Sequence, residues 1–128
     1  MKITVIGLGY IGLPTAAMFA KSGLDVIGYD VNLKVIEALN EGKIIIEEPG
    51  LGPLVKEVVS AGKLKGDRKI NESDVFIIAV PTPINEDKTA NMQYVKDAAE
   101  SIVKYLKKGN TVVLESTSPP GTVDEVLL

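Results

Sequence analysis

Three glycines with the spacing G-x-G-x-x-G occupy residues 7–12, between a short β-branched run and an alanine-rich stretch. The run at residues 3–6 predicts a buried strand, and the stretch at residues 11–22 predicts the helix that follows it. Glycines at this spacing can occur by chance, but a strand directly before them and a helix directly after them are uncommon neighbours. The motif therefore predicts a chain that turns sharply from a strand into a helix, as at the start of a βαβ unit.

The alternation of strand-like and helix-like segments continues along the chain. Further strands are predicted at residues 26–29, 64–69, 75–80 and 111–114, and the last two are expected to be buried. Further helices are predicted at residues 33–41, 51–59 and 95–106. Strands and helices that alternate at these lengths predict right-handed crossovers and an α/β fold with a doubly wound parallel sheet.

The composition excludes several kinds of chemistry. The 128 residues include no cysteine and no histidine, so disulfides, thiolate metal sites, a cysteine nucleophile and a histidine base are absent from this chain. Its 14 basic and 17 acidic side chains give a net charge of −3, which leaves no surplus to neutralise nucleic acid. Adjacent Glu47 and Glu48 should point apart in an extended segment, so we expect no metal site there. No apolar run approaches the roughly 18 residues of a membrane span, and we expect a cytoplasmic protein.

Each position in the glycine motif has its own predicted role. Gly7 would permit the tight turn, Gly9 would let the backbone approach a pyrophosphate, and Gly12 would let the helix pack closely on the sheet. The free N–H groups at the start of that helix, with the positive end of its dipole, would bind the phosphates. Tyr10 and Ile11 belong to this cofactor-binding turn. Together these residues predict a Rossmann domain that binds a dinucleotide.

An acid at the end of the second predicted strand indicates which dinucleotide is bound. Asp30 can accept hydrogen bonds from two ribose hydroxyls, and its charge would repel a 2′-phosphate. The next residue, Val31, offers no cation to offset that repulsion. The sequence therefore favours NAD over NADP. The alternative is a glycine-rich turn in which Asp30 only caps the helix after it.

Two polar segments follow later strands, where ligands of doubly wound sheets bind. In residues 80–83 two prolines leave Thr82 as the polar contact, and the segment is equally compatible with a rigid exit turn. In residues 115–121 three consecutive hydroxyl side chains could line the nicotinamide side of a cleft, or could cap a helix that starts near Thr122. Glu115 could be a buried carboxylate or could point to solvent.

These segments resemble the N-terminal NAD-binding domain of the UDP-glucose/GDP-mannose dehydrogenase family. The similarity is carried by residues 7–14 (GLGYIGLP), 79–83 (AVPTP) and 114–121 (LESTSPPG), with NMQYV at 91–95 between the last two. The amino-acid sequences of the later segments are most similar to the branch of the family that acts on UDP-N-acetyl-D-mannosamine.

The resemblance implies a cofactor, a reaction and roles for particular residues. Family members oxidise the C6 alcohol of a nucleotide sugar to a carboxylate in two NAD-dependent hydride transfers, with the aldehyde captured on a cysteine. Gly7, Gly9, Gly12 and Asp30 match the family's NAD fingerprint. The positions that match its cofactor lining are Val80, Thr82 and Ser116. Thr117 matches the threonine beside the reacting centre, and is the catalytic residue that the resemblance implies for this chain.

The resemblance also implies what this chain lacks. The family's nucleophilic cysteine and its substrate-gripping segments lie beyond residue 128, and the helix predicted at residues 122–125 stops after less than two turns. We therefore expect residues 1–128 to form an incomplete NAD-binding domain that binds NAD without completing the reaction.

Partners and alternatives follow from the same resemblance. The full-length enzyme would be a cytoplasmic homodimer of polysaccharide biosynthesis that acts on a UDP-sugar and binds neither nucleic acid nor membrane. Two alternatives stay open. The substrate could be UDP-glucose or GDP-mannose, or the chain could be a stand-alone module that senses NAD without catalysis.

Overall fold

The computed structural model of the protein describes residues 1–44, 49–80 and 93–115. Its strands are β1 (Lys2–Ile6), β2 (Asp25–Tyr29), β3 (Leu64–Gly66), β4 (Val75–Ile78) and β5 (Thr111–Leu114). Its helices are α1 (Gly12–Lys21), α2 (Leu33–Asn40), α3 (Leu51–Ser60) and α4 (Gln93–Val103). Each predicted element that falls within these ranges is present, with ends that differ by a few residues. Within these ranges no helix is both long and apolar enough to cross a bilayer.

The strands form one parallel sheet in the order β3-β2-β1-β4-β5. From β1 the chain builds outward through β2 and β3, and it then returns to the other side of β1 to add β4 and β5. The predicted doubly wound α/β fold is confirmed. The direction of winding reverses between β1 and β4, and a crevice forms at such a switch point, outside the carboxyl ends of the strands.

Two apolar clusters cover the two faces of the sheet. Successive side chains of a strand point to opposite faces, so β1 contributes Ile3 and Val5 to one cluster and Ile6 to the other. The larger cluster includes buried residues of α1 and α3, and the smaller includes Ala98 and Ile102 of α4. The interior of β4 is buried on both faces, as predicted from its continuous apolar run.

Two predictions about the last described segment are wrong. β5 was expected to be buried, but Thr111 is exposed and Val113 is 38% exposed, because within the described residues β5 pairs only with β4. The predicted helix at residues 95–106 ends at Val103, where a tight turn begins with the Tyr105 N–H donating to the Ile102 carbonyl. Apolar periodicity alone gave no sign of this early end.

A side chain of α2 covers the outer edge of β3. The Asn40 amide donates to the Gly66 carbonyl over 3.0 Å, and its oxygen accepts the Gly66 N–H over 2.8 Å. β3 pairs with β2 on its other side, so Asn40 satisfies backbone groups that would otherwise lie open at the sheet edge. The contact fixes α2 against β3.

A pair of hydroxyl groups is buried at the amino end of the sheet. Thr4 of β1 is 1% exposed and Ser73, just before β4, is 8% exposed. Their side-chain oxygens are hydrogen-bonded to each other. Each group supplies the partner that burial makes obligatory for the other.

Candidate functional site

The turn from β1 into α1 requires a glycine at its first position. Gly7 has φ +96°, a left-handed conformation that side chains rarely adopt. A Cβ there would lie 2.7 Å from the Ala79 carbonyl oxygen, at the end of β4. The Gly7 N–H donates to the Tyr29 carbonyl over 2.8 Å, which ties the turn to the end of β2. The predicted role of Gly7 in the tight turn is confirmed.

Gly12 allows α1 to begin directly against the end of β1. A Cβ at this position would lie 1.7 Å from the Gly7 carbonyl oxygen and 3.2 Å from the Ala79 Cβ. Only a residue without a side chain permits that approach of helix to sheet. The predicted packing role of Gly12 is confirmed.

Gly9 differs from the other two glycines because no neighbour crowds it. A Cβ at this position would meet no heavy atom of residues 1–44, 49–80 and 93–115 within 4 Å, and the residue does not have a positive φ. Neither the fold nor the backbone therefore requires glycine here. A bare backbone facing open space fits the predicted approach of a pyrophosphate.

The amino end of α1 follows exposed residues of the glycine turn and has no acidic residue of its own. Ile11 is the capping residue and makes no side-chain capping bond, and the first turn, which is described throughout, contains no acid. Tyr10 is 65% exposed and Ile11 is 46% exposed. The Leu13 N–H already donates to the Gly9 carbonyl over 3.1 Å, so an anion bound here would meet the N–H groups earlier in the glycine turn and the positive end of the helix dipole.

Asp30 lies half-buried at the carboxyl end of β2 and holds the glycine turn. Its Oδ2 accepts the Leu8 N–H over 2.8 Å, and its Oδ1 accepts the Asn32 N–H over 2.9 Å. The α2 cap is Asn32, which accepts the Lys34 N–H over 3.1 Å, so the alternative that Asp30 caps this helix is wrong. Each Asp30 oxygen keeps a further acceptor position for a hydroxyl. Val31 beside it is 82% exposed.

Leu8, between the first two glycines, has a role that sequence reasoning missed. Its side chain is 1% exposed and anchors the turn in the larger apolar cluster. A Cβ on Gly28 of β2 would lie 3.0 Å from both Leu8 Cδ atoms, so that glycine makes room for Leu8. A glycine inside a predicted strand was the available signal.

The carboxyl ends of β4 and β5 form the other side of the crevice. The Ala79 N–H donates to the Ile6 carbonyl over 2.8 Å, and the Glu115 N–H donates to the Ile78 carbonyl over 2.9 Å. Val80 follows β4 half-buried and packs against the smaller apolar cluster. The structure thus brings Val80 to the same edge of the sheet as Asp30 and the glycine turn.

Glu115 makes a contact that neither of its predicted environments included. The half-buried carboxylate accepts a hydrogen bond at Oε2 from the Thr15 hydroxyl of α1 over 2.8 Å. The two residues are 100 positions apart, and no sequence signal joins them.

Several predicted site residues lie outside the described ranges. They are Thr82, Ser116, Thr117, the predicted helix start at residues 122–125, and the acids Glu47 and Glu48. Within the described ranges no group of three or more acids is arranged to hold a metal ion.

Comparison with known proteins adds independent findings. The model of the UDP-glucose/GDP-mannose dehydrogenase family, NAD binding domain, matches residues 1–128. A UDP-N-acetyl-D-mannosamine dehydrogenase from Campylobacter jejuni is 53% identical over 126 residues, which cover 98% of this chain and 31% of that protein.

Two experimental structures show the same similarity in three dimensions. The UDP-N-acetyl-mannosamine dehydrogenase of Staphylococcus aureus superposes with a TM-score of 0.94 at 54% identity, covering 98% of this chain and 31% of that one. A GDP-mannose dehydrogenase from Pseudomonas aeruginosa, solved as a ternary complex, gives a TM-score of 0.93 at 34% identity, covering 99% and 31%. The chain spans only about a third of the length of these relatives.

Proposed function

Since the chain belongs to the UDP-glucose/GDP-mannose dehydrogenase family, whose NAD-binding domain it matches, we propose that its glycine turn and Asp30 bind NAD in the crevice between β1 and β4. The observation that carries the proposal is the contrast between the glycines. Gly7 and Gly12 are required by the fold, whereas Gly9 faces space that no atom of the described residues fills. That space adjoins the amino end of α1, where a pyrophosphate would be stabilised.

Different residues of the proposed site bind different parts of the cofactor. The N–H groups of the turn that includes Tyr10, Ile11 and Gly12 bind the phosphates. Asp30 accepts the two hydroxyls of the adenosine ribose through the acceptor positions that Leu8 and Asn32 leave open. Because Leu8 and Asn32 already orient the carboxylate, little side-chain entropy is lost when the ribose binds.

Residues at the ends of β4 and β5 complete the proposed site. Val80 contacts the nicotinamide half. By their match to family motifs, Thr82 and Ser116 line the cofactor, and Thr117 orients a polar group beside the reacting centre.

The whole protein is proposed to oxidise the C6 alcohol of UDP-N-acetyl-D-mannosamine to a carboxylate. Support comes from relatives named for that substrate, such as the Campylobacter jejuni enzyme at 53% identity. Bound NAD supplies the hydride acceptor, and this chain's residues bind and orient it. The chain contains no cysteine, so the proposal places substrate binding and thiol chemistry in another part of the protein. Cytoplasmic location, a homodimer and a place in polysaccharide biosynthesis remain predictions from the family.

The cofactor proposal is tested by calorimetric titration of NAD into the chain and two variants. Asp30→Ala leaves hydrogen-bonding groups of the ribose and of Leu8 unpaired, so affinity should fall by roughly 5- to 150-fold. Asp25→Ala is the matched control, because it makes the same change at the opposite end of β2, where the side chain is 69% exposed. Equal affinity in Asp30→Ala and the wild type would contradict the ribose role.

The substrate proposal is tested on the whole protein encoded by the reading frame that contains this chain. Oxidation of an alcohol to a carboxylate removes four electrons, so UDP-N-acetyl-D-mannosamine should yield two NADH per sugar, measured by absorbance. Faster turnover of UDP-glucose or GDP-mannose would overturn the substrate while leaving the cofactor site intact. NAD binding without oxidation of any of the three sugars would favour the sensing module instead.

A further inference from the structure

A hydrogen bond joins the residue after β5 to the first turns of helix α1, at the carboxyl end of the sheet. The Thr15 hydroxyl donates to Glu115 Oε2 over 2.8 Å, and both side chains are half-buried. Thr15 lies one helical turn beyond Gly12, which itself comes within contact distance of Ala79 at the end of β4. To reach from β5 to α1, the Glu115 side chain must therefore lie across the carboxyl end of β4.

This position is on the opposite side of the switch point from Asp30. Asp30 follows β2, Glu115 follows β5, and the sheet order places β1 and β4 between them. A dinucleotide with one ribose on Asp30 and its phosphates at the start of α1 has to extend its other half over β4 and β5. Glu115 is thus on the nicotinamide side of the site.

The Glu115 carboxylate has no cation to balance it in the described part of the chain. None of the ion pairs within residues 1–44, 49–80 and 93–115 includes Glu115. Its hydrogen bond to a neutral hydroxyl fixes its position and leaves its negative charge in place. Because the site is half-buried, water screens this charge less, and the charge can act on a bound ligand several ångströms away.

We infer that Glu115 makes this site discriminate between the oxidised and the reduced cofactor. The nicotinamide ring is a cation in NAD+ and becomes neutral when it accepts a hydride. A fixed carboxylate on that side stabilises the bound cation and loses that attraction after the transfer. The inference rests on the proposed NAD site, and it gives the domain a means to release NADH and take up NAD+ for the next hydride transfer.

The test compares dissociation constants for NAD+ and NADH, measured by calorimetry at low salt and at physiological salt. Glu115→Gln keeps an acceptor for Thr15 and removes the charge. NAD+ affinity should fall roughly three- to tenfold while NADH affinity changes less than about twofold, and the difference should shrink as salt is added. Glu72→Gln is the control, because Glu72 pairs with Lys107 at the amino ends of the strands.

A second variant separates charge from simple bracing. Thr15→Val breaks the hydrogen bond but keeps the carboxylate. The ratio of NAD+ affinity to NADH affinity should therefore be higher in Thr15→Val than in Glu115→Gln. If the contact is purely structural, both variants should weaken the binding of NAD+ and of NADH equally. That result would overturn the inference but not the proposed NAD site. An unchanged ratio of NAD+ to NADH affinity in Glu115→Gln would do the same. Failure of the wild-type chain to bind either form would overturn the proposed NAD site together with it.

Discussion

Alanine substitutions at Gly9 and Gly12 should separate cofactor binding from folding. Both positions lie in the same turn, and the chemical change is one methyl group in each case. At Gly12 that methyl would lie 1.7 Å from the Gly7 carbonyl oxygen, whereas at Gly9 no heavy atom in the described part of the chain lies within 4 Å of it. Gly12→Ala should therefore destabilise the fold, and Gly9→Ala should impair only binding.

The two magnitudes follow from these contacts. Gly12→Ala must move α1 by about 1.7 Å to reach an ordinary 3.4 Å contact with backbone that cannot yield easily. Overpacking costs about 1–3 kcal/mol, and a backbone clash of this size belongs at or above the upper end. Gly9→Ala should change the free energy of unfolding by less than about 1 kcal/mol. A methyl against the pyrophosphate should lower NAD affinity by roughly ten- to a hundredfold.

Urea unfolding followed by circular dichroism measures the first quantity, and calorimetric titration with NAD measures the second. At roughly 4 °C per kcal/mol, Gly12→Ala should also lower Tm by about 12 °C or more. A Gly9→Ala chain that folds normally and binds NAD like the wild type would refute the placement of the phosphates. A Gly12→Ala chain with wild-type stability would refute the close approach of α1 to β1.

Three further predictions concern other contacts. Asn40→Ala should lower the free energy of unfolding by about 1–3 kcal/mol, since two backbone groups of Gly66 lose their partners. The control Asn71→Ala, at an exposed position, should leave the free energy of unfolding unchanged. Equal urea midpoints for the two variants would contradict the edge contact. Thr4→Val should cost a similar amount because it orphans the Ser73 hydroxyl, and adding Ser73→Ala should restore much of the loss in the same assay; no recovery would contradict the pairing. Asp30→Ser combined with Val31→Arg should raise NADP affinity by roughly tenfold or more in a titration. The reason is that the repulsion between Asp30 and the 2′-phosphate is replaced by a charge-assisted bond from the arginine. Unchanged NADP affinity would contradict the placement of the ribose at Asp30.

The sheet and the glycine turn could be predicted because local signals determine them. Strand and helix periodicity gave the element order, and the fixed handedness of crossovers then left few topologies. The glycine spacing identified the turn, since Gly7 and Gly12 are required by contacts within that turn and with the adjacent strand end. These are short-range constraints that a sequence pattern carries directly.

Other features depend on contacts between distant segments. The exposure of β5 depends on which strands lie beside it, and no pattern within its four residues reports that. The Thr15–Glu115 hydrogen bond joins residues 100 positions apart and forms only because the sheet order places β5 near α1. Asp30 holding the Leu8 N–H likewise required the paired register of β1 and β2.

Parallel thermal unfolding of the chain with NAD and with NADP tests whether this crevice binds NAD and rejects NADP. At about one hundred times its dissociation constant, NAD should stabilise the native state by about 2.7 kcal/mol, seen as a rise in Tm, and NADP at the same concentration should leave Tm unchanged. Equal stabilisation by both would contradict the role of Asp30. No shift with either cofactor on a folded sample would contradict NAD binding by this chain.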